Sequence, residues 1–337
     1  MIYNIIGDIH GRTCWKELVQ DNAVNVFVGD YFSPYHEIDW EDQRQNFLDI
    51  ITYKMEHPET ILLVGNHDED HWHLFRSGCS RHNYEHDNEI KQMFEEFADY
   101  FQVAFSIANQ VLVTHAGVSY VWYEHYKNHI LTNTAWNLNY NDEDTVESPY
   151  THERVPVDHP MKYLDYATVD EAFDAFLNKY ANKGITPPNE LRDGAFVEWK
   201  DTLWRYNGES KKFEKYVVTP DEVAAFVNDL WKSGNYRAFD FMPNAMYDDY
   251  CGESVTHGPM WIRTGSLVSC NIFTFSPYAQ VFGHTRSSNF GIWNNKQNKM
   301  FMIDCLEEKA DSLIIEVSGD DCHLKTLTEY KQENVQQ

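Results

Sequence analysis

Apolar residues in this chain gather in short β-favouring runs, and five of those runs end alike. Ile2-Tyr3-Asn4-Ile5-Ile6 leads into Gly7-Asp8-Ile9-His10-Gly11, and Val24-Asn25-Val26-Phe27-Val28 into Gly29-Asp30. Thr60-Ile61-Leu62-Leu63-Val64 leads into Gly65-Asn66-His67-Asp68, Val111-Leu112-Val113-Thr114 into His115-Ala116-Gly117, and Tyr278-Ala279-Gln280-Val281-Phe282 into Gly283-His284-Thr285. Between the first three runs the apolar spacing becomes helical. Thr13 is placed to cap a short helix carrying Trp15, Leu18 and Val19. Asp39 is placed to cap a longer one, with Trp40, Phe47, Leu48, Ile51 and Met55 on one face. Two strand–helix–strand passages predict a parallel sheet with right-handed connections. A helix through Ile90, Phe94, Phe97 and Tyr100 and a hairpin about Asn109 follow.

The shared ending carries the chemistry. In sheets built from such units, ligands collect outside the carboxyl ends of the strands. Asp8 and His10 are two apart in extended backbone, so their side chains point the same way and can close on one metal ion. Core packing accounts for each run separately but not for Asp, Asn or His arriving beside glycine five times. His71 and His73, in Glu69-Asp70-His71-Trp72-His73, read as a polar rim beside such a site, with His82 and His86 beyond.

The segment 120–254 has a different texture. An amphipathic helix is predicted over Asp170–Lys183, with Phe173, Phe176 and Leu177 on its apolar face. Trp204–Gly208 and Phe213–Val218 predict a hairpin with an Asn-Gly turn. Thr219-Pro220-Asp221-Glu222 has the form of a capping box with proline in the first turn. Residues 125–250 read as an inserted cap beside the mouth of the site. Their aromatic richness, with that of Trp122 and Tyr123, reads as a small separate core or as a stacking wall for a nucleobase. Phe290–Asn294 and Lys299–Asp304 predict another hairpin, and the chain after about 328 reads as a polar, frayed tail.

Composition narrows the partners. Lys and Arg total 27 against 53 Asp and Glu, a formal charge of −26 that disfavours a nucleic-acid or anionic-membrane surface. An acidic protein can still hold a phosphate ester where metal cations override the field locally. The six cysteines form no C-x-x-C pair, so they read as buried free thiols of a reducing compartment. No signal peptide precedes the first strand and no apolar run reaches membrane-spanning length, which gives a cytoplasmic expectation.

Taken in order, Gly-Asp-Ile-His-Gly, Gly-Asp, Gly-Asn-His-Asp, His-Ala-Gly and Gly-His-Thr resemble the calcineurin-type metallophosphoesterases. The chain is most similar to the branch holding the serine/threonine protein phosphatases and the symmetrical diadenosine tetraphosphate hydrolases. The resemblance covers about 1–119 and 255–317 and implies an α/β fold, an αββα sandwich with an inserted cap. It implies that Asp8 and His10 hold one metal, that Asn66, His115 and His284 hold the other, and that Asp30 bridges them. The donor set of imidazole, carboxylate and amide oxygen suits two divalent or trivalent ions, Mn, Fe or Zn, rather than Ca. A metal-bound hydroxide is then the nucleophile on phosphorus. His67 is placed to protonate the leaving alkoxide, and Arg263, in Trp261-Ile262-Arg263, to meet the substrate phosphate.

The chain also departs from that pattern. Protein phosphatases continue Gly-Asp-x-x-Asp-Arg-Gly, whereas Ser33 and Pro34 stand in the Asp and Arg places here, and Val64 stands where an arginine precedes Gly-Asn-His. Arg286 occupies the position of a second metal-binding histidine. A guanidinium cannot ligate a metal at neutral pH but can grip phosphate. Arg12 is a third candidate. The expected function is a phosphomonoesterase of protein-phosphatase-like architecture acting on a phosphorylated protein or a small phosphate ester. The alternatives are a nucleotide or dinucleoside polyphosphate hydrolase, a metal-dependent nuclease, and a binding module on the same fold without turnover.

Overall fold

The computed structural model describes residues 1–73, 79–130, 135–138, 145–147, 154–156, 163–182, 194–241, 254–319 and 321–335. Among them, two mixed sheets lie face to face with helices on both outer sides. In the first sheet β1 (Ile2–Ile6), β2 (Val24–Phe27), β3 (Ile61–Leu63) and β4 (Phe101–Gln102) run parallel in sequence order. The strands Leu313–Ser318 and Asp321–Thr326 extend it antiparallel from the other side of β1. The second sheet holds β5 (Ala104–Ile107) and β6 (Val111–Thr114), then Ala279–Phe282, Lys299–Met302 and Gly291–Asn294. Ala108 and Asn109 both have positive φ, 51° and 53°, the backbone a tight hairpin turn between β5 and β6 requires.

The layers follow from the alternation of side chains along the strands. Ile5, Val26, Leu63, Val111, Val113, Val281 and Ile315 point between the sheets and form one aliphatic core. The opposite faces meet helices. Here α1 (Trp15–Leu18), α2 (Trp40–Glu56) and α4 (Asp87–Glu96) contribute Trp15, Phe47 and Phe94 to an aromatic layer with Phe27, Tyr31, Phe32 and Phe101. The inward face of α2 is Gln43, Asn46, Phe47, Ile50 and Ile51, which leaves the expected core residue Met55 52% exposed. Asn46 can be buried there because its Oδ1 accepts from Trp15 Nε1 at 2.8 Å. The helix expected through Tyr100 ends at Glu96, and a short 3₁₀ turn, Ala98–Tyr100, replaces its last part.

Between the sandwich strands, α6 (Val169–Asn182) lies with a sheet of Lys212–Lys215, Leu203–Asn207, Phe196–Glu198 and Trp136–Asn137. Phe173, Phe176, Val197, Trp199, Tyr206 and Phe213 close a separate core there. Trp122 and Tyr123 are fully buried in the main body and Trp199 is 5% exposed, which closes those rings to a stacked base; Tyr140 and Tyr150 lie outside the described residues. The capping box forms at α7 (Pro220–Lys232), with Glu222 Oε2 accepting from Thr219 N at 2.9 Å. This helix is tied to β5 through Asn228, whose Oδ1 accepts from Val103 N at 2.9 Å and whose Nδ2 donates to Ala104 O at 2.8 Å. The polar C-terminal stretch is helical over Leu327–Val335, where Thr328 Oγ1 donates to Asp311 at 2.9 Å. Five described cysteines are free thiols, Cys79, Cys270 and Cys305 of them buried. No helix among the described residues is long and apolar enough to cross a membrane.

Candidate metal centre

Each of the five strand ends delivers its polar residue to one place. Asp8, His10 and Asp30 are buried, and one donor atom from each lies within 4.8 Å of the others. His10 Nε2 stands 3.5 Å from Asp30 Oδ2, and His115 Nε2 stands 3.6 Å from the same oxygen. Asn66 Oδ1 is 3.0 Å from both His115 Nε2 and His284 Nδ1. All six residues named from the sequence as metal ligands therefore meet, with Asp30 between the two groups.

The backbone is bent to bring them there. His10, Asp30 and His284 have φ of 45°, 55° and 63°, a left-handed conformation that costs a residue bearing a Cβ about 1 kcal/mol or more. Hydrogen bonds between the strand ends hold these turns. Asp30 O accepts from His10 N at 2.6 Å, His115 O from Gly283 N at 2.7 Å, and Asp8 Oδ2 from His284 N at 2.9 Å. Asp68 accepts from the backbone N–H groups of Asp30, Tyr31 and Gly65 at 2.7–2.8 Å. The acid of Gly-Asn-His-Asp thus locks two strand ends together.

The donor set fits cations. His10 Nδ1, His115 Nδ1 and His284 Nε2 face the backbone oxygens of Phe32, Val28 and Trp261 at 2.9–3.0 Å. A carbonyl accepts only, so those nitrogens carry the hydrogen and the opposite nitrogen of each ring presents a lone pair inward. Asn66 Oδ1 then confronts two lone pairs at 3.0 Å, while its Nδ2 donates to Cys79 Sγ. Protons do not relieve this. Burial holds His115 down to about 4, and burial with the Arg263 charge holds His284 well below the usual imidazole range. Burial, Asp304 and Asp30 raise Asp8 well above the carboxylate range, and burial pushes Asp30 up to about 7. Neutral imidazoles facing reluctant carboxylates are what metal ions stabilise.

Close packing leaves no room beside the carboxylates. A methyl group at Gly283 would overlap Asp8 Oδ1 and come within 2.9 Å of Val28 Cγ2. We expect Gly283→Ala to lower metal affinity about 10–100-fold, the range seen when the support of a ligand is disturbed. Metal retained after dialysis, with circular dichroism as the control for folding, measures it; unchanged retention would show that Asp8 is not a ligand.

The three candidate cations separate. Arg263 lies at the centre, its NH1 donating to His284 O at 3.0 Å. Arg286 is exposed, pairs with Glu308 at 2.8 Å, lies 4.9 Å from the centroid of the Tyr35 ring and sets its charge near Asp304. Arg12 is held by Glu307 and by Asp8 O, so it positions the loop. His71 is fully buried, which corrects its reading as a rim residue: helix α3 (Asn66–His73) runs under the site and turns His71 to the interior.

Two residues were missed. Asp304 follows the strand Lys299–Met302 and sets its charge beside Asp8; the apolar run Met300-Phe301-Met302-Ile303 before it ends in an acid but lacks the glycine of the other five. Arg81 comes from a loop and gave no sequence signal. Its Nε donates to Ser33 O at 3.1 Å, its NH2 is 3.3 Å from His67 Nε2, and its guanidinium lies 3.8 Å over Tyr35. It enters beside Ser33, which with Pro34 stands where the resemblance places an Asp-Arg pair.

A search of curated proteins finds no match. Among solved structures, a protein serine/threonine phosphatase from Saccharomyces cerevisiae is similar at 23% identity and a TM-score of 0.26, covering 35% of this chain. The chain spans 38% of that protein's length. A cold-active protein-tyrosine phosphatase of a psychrophilic Shewanella is 13% identical at a TM-score of 0.41, covering 97% of this chain and 80% of the other. The calcineurin-like phosphoesterase profile matches residues 3–185, more than half of the chain, and the protein belongs to that family.

Proposed function

We propose that this protein is a two-metal phosphomonoesterase of protein-phosphatase type, with residues 125–250 as a cap beside the site. The observation that carries the reading is the inward lone pairs of His10, His115 and His284, each fixed by a carbonyl behind it, around Asp8, Asp30 and Asn66. Asp8 and His10 would hold one cation, Asn66, His115 and His284 the other, and Asp30 would serve both. Cations held there supply Lewis acidity and positive charge for phosphoryl transfer to water. Mn, Fe and Zn suit the donors.

The protein's own groups orient the ester. Arg263, at His284, and Arg81, at His67, grip the phosphoryl oxygens. Arg81 is a donor only, so His67 Nε2 accepts from it while no phosphate is bound. A phosphate that draws Arg81 away frees that nitrogen, and the dianion supplies the counter-charge an imidazolium needs. Nε2 then takes up a proton from solvent, and His67 gives that proton to the leaving alkoxide.

Two expectations test these roles. Arg81→Ala raises KM for a phosphomonoester about 10–100-fold, the worth of a hydrogen bond to a charged group, with metal content unchanged. Arg286→Ala changes it by less than about twofold, because its ion pair is solvent-exposed. The reverse order of effects would exchange their roles. His67→Asn slows alkyl phosphates about 10²–10⁴-fold but p-nitrophenyl phosphate much less, since nitrophenolate leaves without a proton. Equal losses on both substrates would remove the acid role.

The substrate class is read from one screen. Metal-loaded protein is offered phosphopeptides, mononucleotides, dinucleoside polyphosphates and bis-p-nitrophenyl phosphate. Preference for phosphopeptides supports the reading. Preference for dinucleoside polyphosphates or for the diester replaces it, and no turnover of any makes the chain a binding module.

A further inference from the structure

A second group of donors lies on the far side of α3, outside the centre described above. His71 is fully buried on that helix, His82 is 9% exposed in the loop after it, and Asp87 is 4% exposed at the start of α4. One donor atom from each lies within 4.8 Å of the others, as holds for Asp8, His10 and Asp30. Asp87 Oδ1 receives both rings, His71 Nδ1 at 2.9 Å and His82 Nε2 at 3.0 Å. Behind His82, its Nδ1 stands 2.6 Å from Asp70 Oδ2. The order carboxylate, imidazole, shared point is the one that orients a metal-binding histidine from behind.

We propose that His71, His82 and Asp87 form a third cation site, for a divalent transition metal of the zinc class, with Asp70 fixing the His82 ring. The rings of His71 and His82 stack with centroids 4.0 Å apart and planes at 28°, which two buried imidazolium ions would not tolerate. With the His82 Nδ1 hydrogen given to Asp70, its Nε2 lone pair meets an Asp87 oxygen at 3.0 Å, acceptor against acceptor. Asn66 Oδ1 shows the same conflict at the first centre. His71 Nε2 has no hydrogen-bond partner, so that ring gains nothing from a second proton. Two nitrogens and an oxygen without thiolate match zinc and its neighbours rather than calcium.

The site joins three segments that bear on the chemistry. Helix α3 begins with Asn66 and His67, and Arg81 directly precedes His82 with φ of 66°. A cation on His71, His82 and Asp87 fixes the loop from which Arg81 reaches His67. It is a positioning site, since none of its residues faces the substrate.

Zinc content of the full-length protein tests it. Stripped protein is reloaded with zinc and dialysed, and the metal is counted per chain in the wild type, His82→Gln, Asp30→Asn and the double variant, with circular dichroism confirming the fold. Asp87→Asn, isosteric, serves if His82→Gln does not fold. We expect His82→Gln to lose about one equivalent both from the wild type and from Asp30→Asn, with KM raised at unchanged kcat. The loss in the Asp30→Asn background is independent of the first centre, so it survives even if the two-metal reading fails. Equal zinc with and without His82 overturns the proposal and leaves an imidazolium bridging two carboxylates.

Discussion

Asp30→Asn is expected to cut phosphomonoester turnover by at least about 10³-fold, since bridging cations contribute several kcal/mol to the transition state and each 1.4 kcal/mol is tenfold. The Asp30 carboxylate lies 3.5 Å from His10 Nε2 and 3.6 Å from His115 Nε2, so it is the residue common to both donor groups. An amide there loses the negative charge and turns hydrogens toward one cation. The fold should persist, because the amide oxygen can still accept from His67 N as Asp30 Oδ1 does at 2.9 Å. Turnover and metal content are measured together. Wild-type activity with full metal content would dismantle the centre.

The second large effect is on stability. Gly29 has φ of 109°, and a methyl group there would overlap Gly65 N and lie 2.8 Å from Gly65 Cα. Both obstacles are backbone, pinned by Asp68, so neither moves aside cheaply. Conformational strain and overpacking each cost about 1–3 kcal/mol, and Gly29→Ala should destabilise by about 3 kcal/mol or more in urea unfolding. Gly265, in the helix Thr264–Cys270, has open space around its Cα and an ordinary φ. Gly265→Ala should be neutral or stabilising by up to about 1 kcal/mol. Similar losses for both would mean that the contact between strand ends is not tight.

What could be read from the chain was what is local or repeated. Asp8, His10, Asp30, Asn66, His115 and His284 share one cause, a strand of period two that ends in a glycine turn, and that cause is written five times. The capping box at Thr219 and the hairpin at Asn109 are equally local. What escaped depends on packing between distant segments. Arg81 reaches His67 only because its loop folds back over Ser33, and no periodicity records that. His71 was misplaced because a histidine among charged residues looks exposed, whereas the structure encloses it between α3, α4 and His82. Met55 continues the α2 spacing by sequence, yet the inward stripe is carried by Asn46 and Ile50 instead. Asp304 was only half legible, since its strand ends in an acid but without the glycine that marks the other five.

β1 lies inside its sheet, hydrogen-bonded to β2 on one side and to Leu313–Ser318 on the other. During synthesis one flank of that strand therefore stays bare until Leu313–Ser318 has emerged, and Asp8 lacks its backbone amide partner until His284 has been made. A centre that needs His284 would assemble only after that residue has emerged, so cations bound there would not guide the folding of the first strands. Until Leu313–Ser318 arrives, the emerged strands carry an unpaired β-edge, which is a template for pairing with other chains.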